Sequence, residues 1–352
     1  MAAAGGAGGG GALDGTYKAI RVNEFGGPEV LVVEDLPLAD LAPGPDEVVV
    51  SLKATGVNPV DTYIRAGVYA NAPTPPYTPG SDGAGVVLAI GAGVTRCAPG
   101  DRVYVSGSIS GTYAEATKAV QSAVHLLPPS VDFRQGAAIG VPYRTAYRAL
   151  FQVAEAKPGE WVLINGASGA VGLASVQFGV ARGLRIIGTA GTEAGMEVVR
   201  SFGADLAVSH KDFAALQTAV AEATGGAGVS VIVEMLANVN LGNDLKLLAE
   251  RGRVAIVGSR GDVEITPRDL MAREASVRGV MLAKCRPHEK TEIDSAIYAG
   301  LRNGSLKPIV GDVFPMSEAA DAHIDVISKS SGSFGKVVIA ADCLKRESHR
   351  PT

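Results

Sequence analysis

The rhythm of apolar and polar positions changes twice along this chain of 352 residues. From Tyr17 to about Tyr113, short β-rich runs (YKAIRV, VLVVEDL, EVVVSLKATGV, GAGVVLAIG, DRVYV) alternate with turns such as Gly26-Gly27-Pro28, Pro43-Gly44-Pro45 and Pro99-Gly100-Asp101. That spacing predicts a small antiparallel barrel or sandwich. VDFRQGAAIGVPYRTAYRAL then reads as helical, with Pro142 as a local break. From Trp161 the pattern is apolar strand, then helix, repeated: WVLI and VGLASVQFGVARG; LRIIGTA and EAGMEVVRSFGA; LAVSH and FAALQTAVAEATG; VSVIVEM and LGNDLKLLAERG; then RVAIVG, and VRGVML at 277–282. Gly203, Gly225 and Gly252 are expected to stop the helices that precede them. Apolar strands alternating with helices predict an α/β fold: a parallel sheet covered on both faces and doubly wound through right-handed crossovers. Residues 283–342 hold two helical stretches and a last strand, GKVVIA, expected to pack back on the N-terminal part.

Composition narrows the class. The length exceeds what one core usually organises, so two domains are expected. Hydrophobic residues at 47% and charged residues at 19% suit a soluble globular protein, and no apolar run approaches a membrane span. A net charge of −4 argues against a broad basic surface, and 5% aromatics leave few stacking platforms for single-stranded nucleic acid. Cys97, Cys285 and Cys343 lie far apart, forming neither a metal pair nor a disulfide framework, which fits a reducing, cytoplasmic setting. The opening MAAAGGAGGGGALDG lacks the basic and apolar regions of a secretory signal, so residues 1–15 are expected to be a flexible Gly/Ala-rich tail. Residues 343–352 read as a polar C-terminal tail.

The candidate chemistry sits between WVLI and the helix after it. Gly166, Gly169 and Gly172 are spaced three apart, so strand, glycine turn and helix follow in order. Glycines let a dinucleotide pyrophosphate approach the backbone, and the helix start offers unpaired N–H groups and a positive dipole end. The spacing is G-x-x-G-x-x-G, and a plain βα turn remains the alternative. Sheets specific for NAD carry an acid about twenty residues past this turn to hold the ribose hydroxyls. Gly191 stands at that place and permits a 2′-phosphate, while Glu193 reads as a first-turn residue favoured by the helix dipole.

Blocks spread along the chain resemble a known family. FGGPEVL (25–31), GVNPVDTYIRAG (56–67), PYTPGSD (76–82), GDRVY (100–104), QGAAIGVPYRTAYRAL (135–150), NGASGAVGLA (165–174), GTAGTEAG (188–195), EMLANVNL (234–241) and GRVAIVGSRG (252–261) are similar to medium-chain dehydrogenases/reductases of the quinone oxidoreductase branch, which includes the zeta-crystallins. The resemblance implies a GroES-like catalytic domain at 16–138 and 283–342, a Rossmann domain at 139–282, and zinc-independent, NADPH-dependent reduction of quinones, ortho-quinones foremost, by positioned hydride or single-electron transfer. Zinc-dependent relatives hold their metal with G-H-E and G-V-C segments. Here those places read Gly80-Ser81-Asp82 and Gly56-Val57-Asn58, and no cysteine cluster exists, so no metal is expected.

The same resemblance assigns residues. Asn58 and Tyr63 are expected beside the acceptor, Tyr63 also touching cofactor; from the residues alone, a turn Asn before Pro59 and a core Tyr are the alternatives. Thr145 is expected under the nicotinamide, or else on a helix surface. Ser168, Gly169, Ala170 and Val171 line the pyrophosphate. His210 joins Gly191 at the adenosine phosphate, or is a surface-loop histidine. Asn240 and the loop of Val257, Gly258, Ser259 and Arg260 contact cofactor, unless Asn240 is a helix cap and Arg260 a solvated turn residue. Val280, Met281 and Leu282 approach the nicotinamide through backbone, or are sheet core. Two other readings stay open: an NADPH-dependent enone reductase, and a structural crystallin or RNA-binding protein with bound NADPH. Self-association as a dimer or tetramer, with VRGVML as the edge, follows by analogy.

Overall fold

A computed structural model of the chain describes residues 13–328, 332, 334–341, 343 and 345–349. The expected N-terminal tail, apart from its last three residues, lies outside them. The chain divides into two compact units. One takes the chain up to Gly140 with Val313–Ile324 and Val338–Glu347; the other takes Val141–Asp312, Asp325–Val337 and the C-terminal end from Ser348. No helix among the described residues is long and apolar enough to cross a membrane.

The first unit is built as its alternating runs predict. Strands β1 (Thr16–Val22) and β2 (Leu31–Pro37) form an antiparallel pair. Strands β3 (Glu47–Gly56), β4 (Asp82–Ile90), β5 (Arg102–Ser106), β6 (Ala116–Val120) and β7 (Val124–Leu126) belong to a second, antiparallel sheet. Period-two alternation puts the two faces of β3 into different cores. Val48, Val50 and Leu52 pack with Val87, Val103 and Val105, whereas Val49 packs with Tyr17, Ala19 and Leu41. Helix α1 (Pro59–Arg65) follows β3 directly, because Pro59 at its first position is preset for helix and loses no bond. Helix α2 (Phe133–Gly136) is short, and α3 (Gly140–Tyr147) continues into a π-helical stretch, Arg148–Val153. Pro142 does not break this helix. It is the third residue of α3, where a backbone N–H would have no intrahelical partner, and the interruption falls earlier, between Gly136 and Gly140.

Among the described residues, six parallel strands form the sheet of the second unit. In chain order they are β8 (Trp161–Ile164), β9 (Arg185–Ala190), β10 (Leu206–Ser209), β11 (Val229–Glu234), β12 (Leu248–Ile256) and β13 (Ser276–Gly279). In space they run β10-β9-β8-β11-β12-β13, the doubly wound order that reverses between β8 and β11. Helices α4 (Ala170–Ala181), α5 (Glu193–Ser201), α6 (Phe213–Thr224), α7 (Ala237–Leu247), α8 (Pro267–Met271) and α9 (Pro287–Asn303) connect or flank them. Leu163, Ile187, Ile232 and Val254, one from each of four strands, pack with Leu216 and Val220 of α6 and Leu241 and Leu245 of α7. Gly225 closes α6 in the left-handed conformation, as its sequence signal predicts. Helix α7 departs from expectation: it ends at Leu247, not Gly252. Leu248 instead pairs with Val229, and the β11–β12 register slips before Arg253 meets Val231. Two successive buried leucines at the junction let one side chain serve the helix and the next serve the sheet.

The chain then returns through β14 (Val310–Phe314), α10 (Ala319–Ser328) and β15 (Lys336–Ala340), the last pairing with β3. Residues 283–312 therefore sit with the second unit, where the expected division gave them to the first. Polar ties on α9 explain this: Asp294 takes Arg144 at 2.5 and 2.7 Å, Glu292 takes the Tyr147 hydroxyl at 2.8 Å, and Glu289 takes Arg148 at 3.1 Å. The described part of the C-terminal tail is docked, with Cys343 buried and Glu347 paired with Arg134 at 2.7 Å.

Candidate active site

In the first unit, Asn58 is the residue before Pro59 and is held extended by it, which makes it the N-cap of α1. It is buried, as is Asp82 at the start of β4. Asn58 Nδ2 donates to Asp82 Oδ2 at 2.9 Å, and its backbone N–H donates to Asp61 at 2.9 Å. One amide proton of Asn58 is thus committed to Asp82. A Cβ on Gly140 would lie 2.1 Å from Asp82 Oδ1, so glycine is required there. Tyr63, one turn on, is half-buried.

Behind α1 runs a buried chain that the sequence does not announce. Tyr113 donates its hydroxyl to Asp61 Oδ2 at 3.0 Å; His323 Nε2 lies 3.0 Å from that hydroxyl, and Arg65 lies 3.1 Å from His323 Nδ1. Because Arg65 can only donate, Nδ1 accepts and Nε2–H donates, which fixes the neutral tautomer. Burial and then the Arg65 charge lower the His323 pKa to about 3, and burial followed by Asp61 raises Tyr113 well above the usual phenol range. The spacing Asn58-Pro-Val-Asp61, a helix-capping pattern, was a usable signal for Asp61. Nothing local pointed to His323.

In the second unit every expected cofactor residue other than Thr145 follows the C-terminal end of a parallel strand, and these ends share one edge of the sheet. After β8, Gly166 takes a left-handed φ of 63°, and Gly169 is the N-cap of α4 and makes no side-chain cap bond. Ser168 is buried, and its carbonyl accepts from Gly335 N at 2.9 Å; Ala170 and Val171 open the helix. After β9 comes Gly191, where a Cβ would sit 3.1 Å from His210 Nε2 and 4.0 Å from Lys211 Cε. His210 follows β10; burial and then Lys211 lower its pKa. Gly191, His210 and Lys211 therefore meet, and Lys211 is a cation that no motif in the sequence singles out. After β11, Asn240 is no helix cap: it lies within α7 and donates to Glu234 at 3.1 Å. After β12, Val257 donates its N–H to the Glu234 carbonyl at 2.8 Å, Gly258 accepts from Ala237 N at 2.9 Å, Ser259 donates to the Gly261 carbonyl, and Arg260 N donates to Asn238 at 2.8 Å. After β13, Val280, Met281 and Leu282 lie beyond the strand rather than in sheet core, with Met281 46% exposed. Thr145 is buried on α3, not on a helix surface.

Comparison with known proteins places these two units. Residues 44–131 match the alcohol dehydrogenase GroES-like domain, and residues 170–297 match the family described as zinc-binding dehydrogenase. Human quinone oxidoreductase is 48% identical over 322 residues, covering 92% of this chain and 97% of that protein. The chain belongs to the quinone oxidoreductase branch of the medium-chain dehydrogenases/reductases. It is an oxidoreductase with a GroES-like and a Rossmann-type domain. Two solved structures agree: Pseudomonas syringae quinone oxidoreductase (TM-score 0.82, 31% identity, 92% of this chain and 99% of that one) and Escherichia coli quinone oxidoreductase complexed with NADPH (TM-score 0.82, 29% identity, again 92% and 99%). One family description names zinc. Asn58 and Asp82, at the places where zinc-dependent relatives carry ligands, bond to each other. One amide and one carboxylate do not fit a zinc ion, which takes three or four thiolate, imidazole or carboxylate donors.

Proposed function

We propose that the chain is an NADPH-dependent quinone reductase that works without zinc. The observation that carries the reading is the sheet edge of the second unit. A helix start with no side-chain cap bond, behind a left-handed glycine, suits a pyrophosphate, and Gly191 beside His210 and Lys211 suits a 2′-phosphate that a carboxylate would repel. The structure of Escherichia coli quinone oxidoreductase complexed with NADPH supports the same cofactor. Bound NADPH would supply the reducing equivalents. Ser168, Gly169, Ala170, Val171, Asn240, Val257–Arg260 and Val280–Leu282 hold it, with Thr145 against the nicotinamide. Asn58 offers an amide donor to a quinone oxygen as charge develops there, and Tyr63 stacks on the ring or donates its hydroxyl. Positioning and oxyanion stabilisation do the work. Without a Lewis acid, an acceptor already willing to take electrons, an ortho-quinone above all, suits this site better than an alcohol suits the reverse reaction. The exposed edge strand β13, with Met271 and Met281 exposed near it, supports self-association there, and the free thiols of Cys285 and Cys343 suit a reducing cytoplasm.

The test follows NADPH absorbance with an ortho-quinone, an enone beside it, and NADH as control. Quinone-dependent oxidation that prefers NADPH and ignores a chelator is the expected result. Turnover of the enone alone would move the assignment to alkene reduction. Comparable rates with NADH, or loss of activity to the chelator, would remove the cofactor or the zinc-free part.

A further inference from the structure

Beneath the proposed cofactor edge lies a second group of acids. Glu234 ends β11 and Asp244 lies two turns into α7; both are buried, at 0% and 2% exposure. Asn165 follows β8, one register step past the Ile164–Val233 pair, which brings it beside Glu234. Its amide donates one proton to Glu234 Oε2 and the other to Asp244 Oδ1 at 2.9 Å. Its oxygen accepts from Thr189, whose hydroxyl in turn accepts from Gly166 N at 3.1 Å. Glu234 Oε1 accepts from Leu236 N and from Asn240 Nδ2, while the Glu234 carbonyl accepts from Val257 N. This cluster therefore touches the glycine turn, Asn240 and the loop after β12.

Among the described residues the cluster has no cation. On the elements packed around it, Arg253 of β12 pairs with Glu160, and Arg185 of β9 pairs with Asp205. Lys246 of α7, Glu222 of α6 and Arg268 of α8 are exposed. Among the described residues Asp244 Oδ2 finds no donor. Two adjacent buried carboxylates without a counter-charge cannot both ionise near neutrality, so one proton stays between them. Burial, then the Glu234 charge and the bond between the carboxyls, push Asp244 far above the ordinary range.

We propose that Glu234 and Asp244 act as one singly protonated acid pair, positioning residues that hold Asn165, Asn240 and the glycine turn in register for the dinucleotide. The cofactor half of this rests on the NADPH reading above; the proton does not. The folded protein keeps a proton that the unfolded chain, with ordinary carboxyls, gives up. The pair's contribution to stability therefore falls as pH rises from the carboxylate range towards about 9, and is level above that. Cofactor affinity holds while the proton stays, and falls once it leaves.

The experiment compares wild type with Asp244→Asn and Asp244→Ala from pH 6 to 10. NADPH affinity is read by nicotinamide fluorescence, and the melting temperature is read without NADPH. Asn can donate to Glu234 as the protonated acid does, so Asp244→Asn is expected to bind NADPH as wild type does at pH 7. It should not show the wild-type loss above about pH 9, which approaches tenfold per pH unit. Asp244→Ala should bind more weakly throughout. The melting temperature of wild type relative to Asp244→Asn should fall from pH 6 to 9. Groups away from the pair are common to both proteins and cancel. Parallel melting curves across this range would overturn the shared proton, and equal alkaline loss of affinity in both would overturn the positioning role. A melting difference without NADPH binding in any protein would overturn the cofactor reading and keep the pair. Should Asp244→Asn not fold, Glu234→Gln carries the same melting comparison.

Discussion

Gly172→Ala sets two opposing effects of comparable size against each other in α4. The residue is third in the helix, and Ala is the better helix former by about 1 kcal/mol, so local propensity alone predicts stabilisation. Packing predicts the reverse. A Cβ at Gly172 would lie 2.5 Å from both Ala167 Cα and the Gly166 carbonyl oxygen. These are backbone atoms of the glycine turn, which is itself fixed by Ala167 N to the Thr189 carbonyl at 2.7 Å and Gly166 N to the Thr189 hydroxyl at 3.1 Å. No rotamer change relieves the contact, so the cost belongs near the top of the roughly 1–3 kcal/mol range for overpacking. The expected net loss is about 1–2 kcal/mol, or a fall of about 2–4 °C in melting temperature for each kcal/mol in a unit of this size. Gly179→Ala, on the same helix, is the control. Its Cβ would meet Ile186 Cδ1 at 2.6 Å, the tip of a flexible side chain that can turn away. Thermal melts should rank wild type and Gly179→Ala close together and Gly172→Ala below both, with NADPH affinity reduced in Gly172→Ala because the turn must move. A Gly172→Ala protein melting at or above Gly179→Ala would refute the reasoning.

Three further outcomes follow from other sites. His323 is buried neutral, with a pKa of about 3 in the folded protein against about 6.5 unfolded. Its stability contribution is present above the unfolded value and is lost as pH falls, at up to about 1.4 kcal/mol per unit. His323→Gln can accept from Arg65 and donate to Tyr113, so its melting temperature should fall less between pH 6.5 and 4.5 than that of wild type. Gly191→Asp puts a carboxylate next to His210 and Lys211. A repulsion of about 1–3 kcal/mol against a 2′-phosphate should lower the NADPH-to-NADH ratio of kcat/KM by roughly 5- to 150-fold, and an unchanged ratio would count against this phosphate site. Asn58→Asp faces Asp82 with a second buried carboxylate across a 2.9 Å contact, which should cost about 2–4 kcal/mol in denaturant unfolding and recover as pH is lowered towards 5.

What the sequence made legible is what depends on neighbours in sequence. Period-two alternation located β1 to β5, and the strand–helix rhythm located the six parallel strands, because each signal fits inside one element. Where a boundary depends on a distant partner, the local signal misleads. Gly252 resembles a helix stop, yet pairing of Leu248 with Val229 ends α7 well before it. Residues 283–312 look like part of a returning segment, yet Asp294, Glu292 and Glu289 bond to Arg144, Tyr147 and Arg148, roughly 140 to 150 positions away. Pro142 reads as a breaker only when the start of its helix is unknown; at the third position it breaks nothing.

The same division runs through the site. Residues expected to meet the ligand could be placed, because in a parallel sheet they follow strand ends, and strand ends can be read. Residues that hold them could not. Asp61, Tyr113 and His323 come from three separate stretches, and Asn165, Glu234 and Asp244 from three more. Yet topology makes the second set intelligible in retrospect. β8 and β11 flank the point where strand order reverses, so whatever follows one strand lies beside whatever ends the other. An acid ending β11 must then find a donor or a proton where water is excluded. Asn165 supplies the donor, and Asp244 is the partner with which the proton is shared. A polar residue that ends a central strand of such a sheet is therefore a better guide to the supporting layer of the site than any spacing within the glycine turn.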